Sequence, residues 1–326
     1  MLALVLVALV LLGLQGSGPL VLGTPAAQQD LAAALAHHAR APAVHERGVF
    51  SRDGHQSTVD ITIARGGDGQ GTVVTDAKRI EYRFVGGKGY VVAGQDYWSS
   101  QGRLAPFFAG KWVTSPNVLT DVSTASLSRS LSLLDGARPG LTFTHRGQPT
   151  RIGGVPAVAL SDRSGDLYVT TAAPVRFLRL VSSPTYRTAD GVTDVRVDLD
   201  YPDGASVQAP SPVVDTGDPS TLPAQYTAND NSLGHSRDCD VGSTCTLSVG
   251  VTNQRGPQLG APSAELRLTR EDGSDLGHCS APIGAVAYQH SETVTCTVSG
   301  RAWVDFTRVG GRYQASVAVH NPFYDG

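Results

Sequence analysis

Residues 79–100 read RIEYRFVGGKGYVVAGQDYWSS, and after a short loop residues 109–113 read AGKWV. Ile80, Tyr82 and Phe84 alternate with Arg79, Glu81 and Arg83, the period of a strand with one apolar and one polar face. Gly86-Gly87-Lys88-Gly89 can adopt positive φ and fold the chain back. The return strand, Tyr90-Val91-Val92-Ala93, is almost wholly apolar, and Tyr97, Trp98 and Trp112 follow it. This hairpin and its aromatic rim hold two of the three Trp. They predict the floor of a first, β-rich domain.

Working outward, Val59, Ile61 and Ile63 alternate with Asp60 and Thr62, and a glycine-rich turn over 66–71 leads into Thr72-Val73-Val74. That turn lacks the Gly-Lys-Ser/Thr ending of a phosphate loop and sits between strands, so it reads as a hairpin. Residues 44–113 thus form a meander of roughly five strands. Leu119, Val122, Leu127, Leu131 and Leu134 then change to helical spacing over 118–134, and Asp135-Gly136 and Pro139-Gly140 end that run. Strands are expected again around 142–144, 155–161, 167–171, 177–181 and 193–199.

Before the meander, residues 30–41 read DLAAALAHHARA, a helix with Asp30 at its cap and Pro42 as its stop. His37 and His38 point about 100° apart on such a helix and chelate poorly, so they read as solvated histidines. Residues 1–29 carry no charge, and 2–14 are solidly apolar. Residues 1–23 read as an uncleaved single-pass membrane anchor in preference to a cleaved signal with Ala26-Ala27 near the cut. Either way the remainder is exported. No Cys follows the apolar run, which excludes lipid attachment at a lipobox.

Here the residues carry a resemblance. Tyr90-Val91-Val92-Ala93-Gly94, Tyr97-Trp98 and Gly110-Lys111-Trp112-Val113, with Leu167-Tyr168-Val169, Ala173-Pro174 and Val207-Gln208-Ala209-Pro210, resemble the landmarks of actinobacterial LppX/LprG-type envelope proteins. The resemblance covers roughly 29–212. It implies a LolA-like half-barrel over 29–208, a curved antiparallel sheet with covering helices, and a lipid ligand held between the two. Candidate liners are Ile61, Ile63, Ile80, Tyr82, Phe84, Tyr90, Val92, Leu127 and Leu131. The competing reading is that these side chains pack on one another as a filled core.

Residues 209–227, APSPVVDTGDPSTLPAQYT, are rich in proline and read as a stiff linker. Residues 228–326 bring alternating runs at Leu247–Val251, Ala264–Leu268, Val294–Val298 and Tyr313–Val319, the size and rhythm of an immunoglobulin-like β-sandwich. Trp303 and Phe306 are expected in its core. All four Cys lie here and allow three pairings. In an exported domain Cys239–Cys245 and Cys279–Cys296 are the favoured pairs, and the spacings do not match zinc knuckles.

The fold class is therefore α+β followed by all-β. A formal charge of -3 gives no electrostatic reason to expect nucleic acid. There is no Gly-x-Ser-x-Gly elbow, His-Glu-x-x-His or Walker loop, so neither an enzyme nor a metal or cofactor is predicted. The partners expected are the membrane through 1–23, a lipid or other hydrophobic ligand, and an envelope protein. An interaction module that binds protein or glycan, with a filled half-barrel, is the alternative.

Overall fold

The computed structural model describes residues 25–114 and 145–325, apart from positions 53, 164, 186 and 188–190. The expected anchor at 1–23, the helix at 118–134 and the strand at 142–144 lie outside the described residues. Among the described residues, no helix is long and apolar enough to cross a membrane. The chain divides into two compact units. The first holds described residues 25–94 and 145–211, and the second 95–114 and 212–325. Residues 95–114, read above as the aromatic rim of the hairpin, thus group with the second unit.

The first unit opens with helix α1 (Pro25–Arg40). Its described residues reach Pro25, five positions before the expected cap, so Asp30 lies inside the helix. Asp30 instead meets Arg146 Nε at 2.8 Å. Strands β1 (Ala43–Arg52), β2 (His55–Ala64), β3 (Gly69–Thr75), β4 (Lys78–Val85) and β5 (Lys88–Ala93) form the meander. Strand β6 (Trp112–Thr114) belongs to the second unit, and the first resumes with β7 (His145–Ile152), β8 (Val155–Asp162), β9 (Gly165–Thr170), β10 (Phe177–Ser182) and β11 (Val192–Asp200).

Within this unit the strand order is β5-β4-β3-β2-β1-β11-β10-β9-β8-β7. Each neighbouring pair is antiparallel, and β1 against β11 brings the two halves together. The sheet is large, curved and open, not a closed barrel. Edge strand β7 carries Pro149 and a register shift between Arg146 and Pro149, two devices that blunt edge-to-edge pairing.

Helix α1 covers one half of the apolar face. Ala27 and Ala34 are fully buried against Val158, Leu160, Leu167, Val169, Phe177 and Leu199, with Leu31 alongside. Alanine lets the helix approach closely, and each buried Val, Leu or Phe contributes roughly 1.5–3 kcal/mol. His37 and His38 are not solvated as expected. Their rings lie 4.9 and 5.8 Å from that of Tyr201, and His38 also stacks edge-on with Phe177.

The opposite face is polar. His45 bridges three strands, with Nε2 2.9 Å from Asp60 and Nδ1 3.0 Å from Asp200. Arg47 also holds Asp60, and Arg179 pairs with Asp198 through two contacts. Burial alone would lower the His45 imidazole, but the hydrogen bonds to Asp60 and Asp200 outweigh it and raise the group above its usual value. The Asp60 carboxyl is held below its own by His45 and Arg47.

A raised histidine stabilises the fold below its unfolded pKa and loses that contribution as pH rises through its folded one. The lowered aspartate contributes above its unfolded pKa. The bridge is therefore strongest between about pH 4 and 6.5. Moving from pH 5.5 to 8 should lower the melting temperature of the wild type more than that of His45→Gln. These carboxylates are half-exposed or more, so the difference should stay within about 3 °C.

The second unit contains β6, helix α2 (Ala105–Phe108), β12 (Val213–Asp215), β13 (Tyr226–His235), helix α3 (Asp238–Val241), β14 (Thr244–Asn253), β15 (Ser263–Arg270), β16 (Asp275–Pro282), β17 (Ser291–Ser299), helix α4 (Arg301–Val309) and β18 (Tyr313–His320). Strand β6 pairs in parallel with β12. Phe107 meets Phe323 at 6.2 Å, and Lys111 Nζ stands 3.5 Å over the Phe107 ring. The proline-rich stretch 209–227 therefore carries a strand and, at Pro219–Thr221, a 3₁₀ turn whose first free N–H, Ser220, donates to Asp218.

Two three-stranded sheets, β13-β14-β17 and β16-β15-β18, enclose a common core. Trp303 is fully buried there and Phe306 nearly so, as expected. Both favoured disulfides are present. Cys239–Cys245 ties α3 to β14, and Cys279–Cys296 joins β16 to β17, one strand from each sheet.

Candidate functional site

The register of β2 to β5 resolves the apolar face into three rows. Paired residues of an antiparallel ladder point to the same side. One row runs Val59, Val73, Ile80, Ala93. The next runs Ile61, Gly71, Tyr82, Val91, and the third Ile63, Gly69, Phe84, Gly89. The face therefore brings together five of the candidate liners: Ile61, Ile63, Ile80, Tyr82 and Phe84.

Tyr90 and Val92 stand elsewhere. Tyr90 pairs with Arg83 and Val92 with Glu81, so both lie on the polar side. Val91 and Ala93 occupy the positions across from Tyr82 and Ile80. The uniformly apolar run 90–93 has no alternation from which its parity could be read. Leu127 and Leu131 lie outside the described residues.

The two glycines of β3 shape the face. Gly69 and Gly71 place no side chain between Ile63 and Phe84 or between Ile61 and Tyr82. A Cβ on Gly71 would fall 2.5 Å from Ile61 Cγ1 and 2.6 Å from the Asp60 carbonyl. The strands thus approach too closely for any side chain, and Ile61 leans over the glycine. The result is an apolar strip in which Ile61 and Ile63 stand to one side of the two glycines and Tyr82 and Phe84 to the other. Tyr82, Val59, Val73 and Val91 are buried, whereas Ile61, Ile63, Ile80 and Phe84 keep part of their surface accessible. At one end the face turns polar, where the Ser57 and Thr75 hydroxyls lie 2.6 Å apart.

Sequence reasoning missed Glu46. It pairs with Ile61 on one side and Leu199 on the other, which puts it on the apolar face, and it is 3% exposed. The neighbouring Tyr201 hydroxyl lies 3.2 Å from His38 Nδ1. Burial, with the nearby Glu46 charge adding to it, raises the Tyr201 phenol well above its usual range and keeps it protonated. Glu46 stands in the run His45-Glu46-Arg47, all polar, where no alternation marks which residue turns inward. Among the described residues, no cluster of three or more His, Cys, Asp or Glu could hold a metal ion.

What such a face can do is exclude water from hydrocarbon, at about 0.8 kcal/mol for each CH2 buried. No family model and no curated protein matches the chain. Among solved structures it is similar to Mycobacterium tuberculosis lipoprotein LppX, with 11% identity over 57% of this chain and 100% of that one, at a TM-score of 0.37. It is also similar to LprF from Mycobacterium bovis, with 16% identity over 58% of this chain and 98% of that one, at a TM-score of 0.34. MucB matches with 15% identity over 81% of this chain and 94% of that one, at a TM-score of 0.28.

Proposed function

We propose that this chain is a non-catalytic, membrane-tethered extracytoplasmic protein that takes a lipid or other hydrophobic ligand against the apolar face of β2 to β5. The observation that carries the reading is the apolar strip in which Ile61, Ile63, Tyr82 and Phe84 share one face beside Gly69 and Gly71. The half-buried state of Ile61, Ile63, Ile80 and Phe84 supports the same reading. Two disulfides favour an oxidising compartment, and the apolar run 2–14 with the patch 19–22 supports a tether.

The test is binding. Purified full chain should displace or take up a fluorescent acyl probe with micromolar or tighter affinity, and organic extracts should contain co-purified lipid. Replacing Phe84 by Asp should weaken probe binding by about tenfold or more, because a charge on this face resists desolvation. Absence of both probe binding and co-purified lipid would overturn the reading.

A second reading rests on the disulfide-bonded sandwich. Its sheet memberships follow the order in which an immunoglobulin-like fold places strands A, B and E on one sheet and C and F on the other, which supports an Ig-like assignment. As such it would present loops to an envelope protein or glycan. Crosslinking in intact cells that recovers a partner through the second unit would favour this reading.

A further inference from the structure

The apolar face has one polar end. Beyond the row of Val59, Val73 and Ile80, toward the turn that joins β3 to β4, the register aligns Phe50, Ser57, Thr75 and Lys78 across four adjacent strands. Members of such a row share a side of the sheet, and every second residue along a strand returns to that side. Lys78 therefore stands on the face of Ile80, Tyr82 and Phe84, at the start of β4. Phe84 follows it six positions later, about 20 Å along an extended strand. Half the hydrocarbon thickness of a bilayer, the depth one acyl chain fills, is about 15 Å. The face from Lys78 to Phe84 is long enough for one such chain.

Most polar groups at that end are already engaged. The Ser57 and Thr75 hydroxyls meet each other. Asp76, on the β3–β4 turn, is held by His55 Nδ1 at 2.7 Å. Arg79 turns to the polar side, where it reaches Glu81 and Thr72. Arg52, across from His55, also has a contact within the protein. Lys78 differs from all of these. It is exposed, and among the described residues no group pairs with its ammonium. An ammonium has three donors and no acceptor, so an anion suits it best. A lysine can also lay its stem on apolar surface while its head stays in water. The row thus puts an unclaimed positive charge at one end of an apolar strip.

We propose that the ligand of this face is an amphiphile with an anionic head, paired with Lys78 at the β3–β4 turn, whose acyl chain runs along Ile80 and Tyr82 toward Phe84. This inference rests on the ligand reading above and adds to it the class of head group and the direction of the chain.

Competition on the purified full chain tests it. Monopalmitoylglycerol and its phosphate monoester share the acyl chain and the glycerol and differ by one phosphate. Each would be titrated at low ionic strength against a bound, uncharged fluorescent acyl ester. The wild type should prefer the phosphate by about three- to fivefold, the scale of one ion pair that stays in contact with water. About 0.5 M salt should remove most of that preference. Lys78→Met keeps a long apolar stem and removes the charge, and it should bring the two lipids to within about 1.5-fold of each other. Both lipids are read on the same variant, so a general change in affinity cancels from the ratio. Lys88→Met is the control. Lys88 is exposed at the other turn of β4, in register with Val85 on the polar side, and its loss should leave the preference intact. Equal affinity of the wild type for both lipids, a preference that survives Lys78→Met, or one lost equally in Lys88→Met would overturn the inference and leave the ligand reading standing. Failure of both lipids to displace an ester that does bind overturns the inference as well. If the ester itself does not bind, the ligand reading falls and this inference falls with it.

Discussion

Replacing Gly48 by alanine should unfold the first unit or destabilise it by more than about 3 kcal/mol, although the change adds a single methyl group. A Cβ at this position would lie 2.1 Å from the Arg196 carbonyl oxygen and 2.6 Å from Val197 Cα. Both are backbone atoms of β11. A flexible side chain could move aside, but the backbone cannot move without parting the β1–β11 ladder, which joins the two halves of the sheet. The register shift between Val49 and Ser51 lies next to the contact, so the ladder is already irregular there. Gly66→Ala is the control. Its Cβ would meet nothing within 4 Å, and its effect should stay below about 1 kcal/mol.

The choice of probe follows from where the tryptophans lie. Trp98, Trp112 and Trp303 all fall in the second unit. Far-ultraviolet circular dichroism should therefore register the loss in Gly48→Ala, while the tryptophan fluorescence transition should stay nearly where it is in the wild type.

The second large effect is expected at Trp303. It is fully buried, with the Phe306 ring 5.5 Å away and that of Tyr313 at 5.4 Å. The residue reaches the space between the two sheets from α4, and Leu247, Leu266 and Leu268 belong to the same core. Trp303→Ala removes a whole indole from that core and should cost about 3–5 kcal/mol. Trp303→Phe keeps most of the apolar volume and should cost clearly less. Both are read by denaturant titration of the second unit, followed through Trp98 and Trp112. If alanine and phenylalanine cost the same, the indole is not filling the core.

Much of this fold was legible in the sequence where one face of a strand is wet. Val59-Asp60-Ile61-Thr62-Ile63 and Arg79–Phe84 alternate because one side meets water, and their positions on the sheet follow directly. The same holds for β14, β15, β17 and β18. The reading failed where polarity does not alternate. Tyr90–Ala93 is apolar throughout, so two of its residues were assigned to the wrong face. His45-Glu46-Arg47 is polar throughout, so the buried member was not seen.

Other features depend on contacts that no local pattern carries. Strands β13 and β16 contain Asn, Asp, Ser, Gly and His, and become strands because β14 and β15 offer them partners. The segment 95–114 follows the hairpin in sequence yet groups with the second unit through β12 and Phe323. The histidines of α1 looked solvated because Tyr201, the residue that covers them, lies more than 160 positions away.

The most direct measurement of the ligand site is photocrosslinking with a fatty acyl lipid that carries a diazirine near the end of its chain. Loaded onto the purified full chain, irradiated and digested, it should label peptides holding Ile61, Ile63, Tyr82 and Phe84. Labelling confined to the polar side of the same strands, at Tyr90 and Val92, or to the second unit alone, would contradict the account.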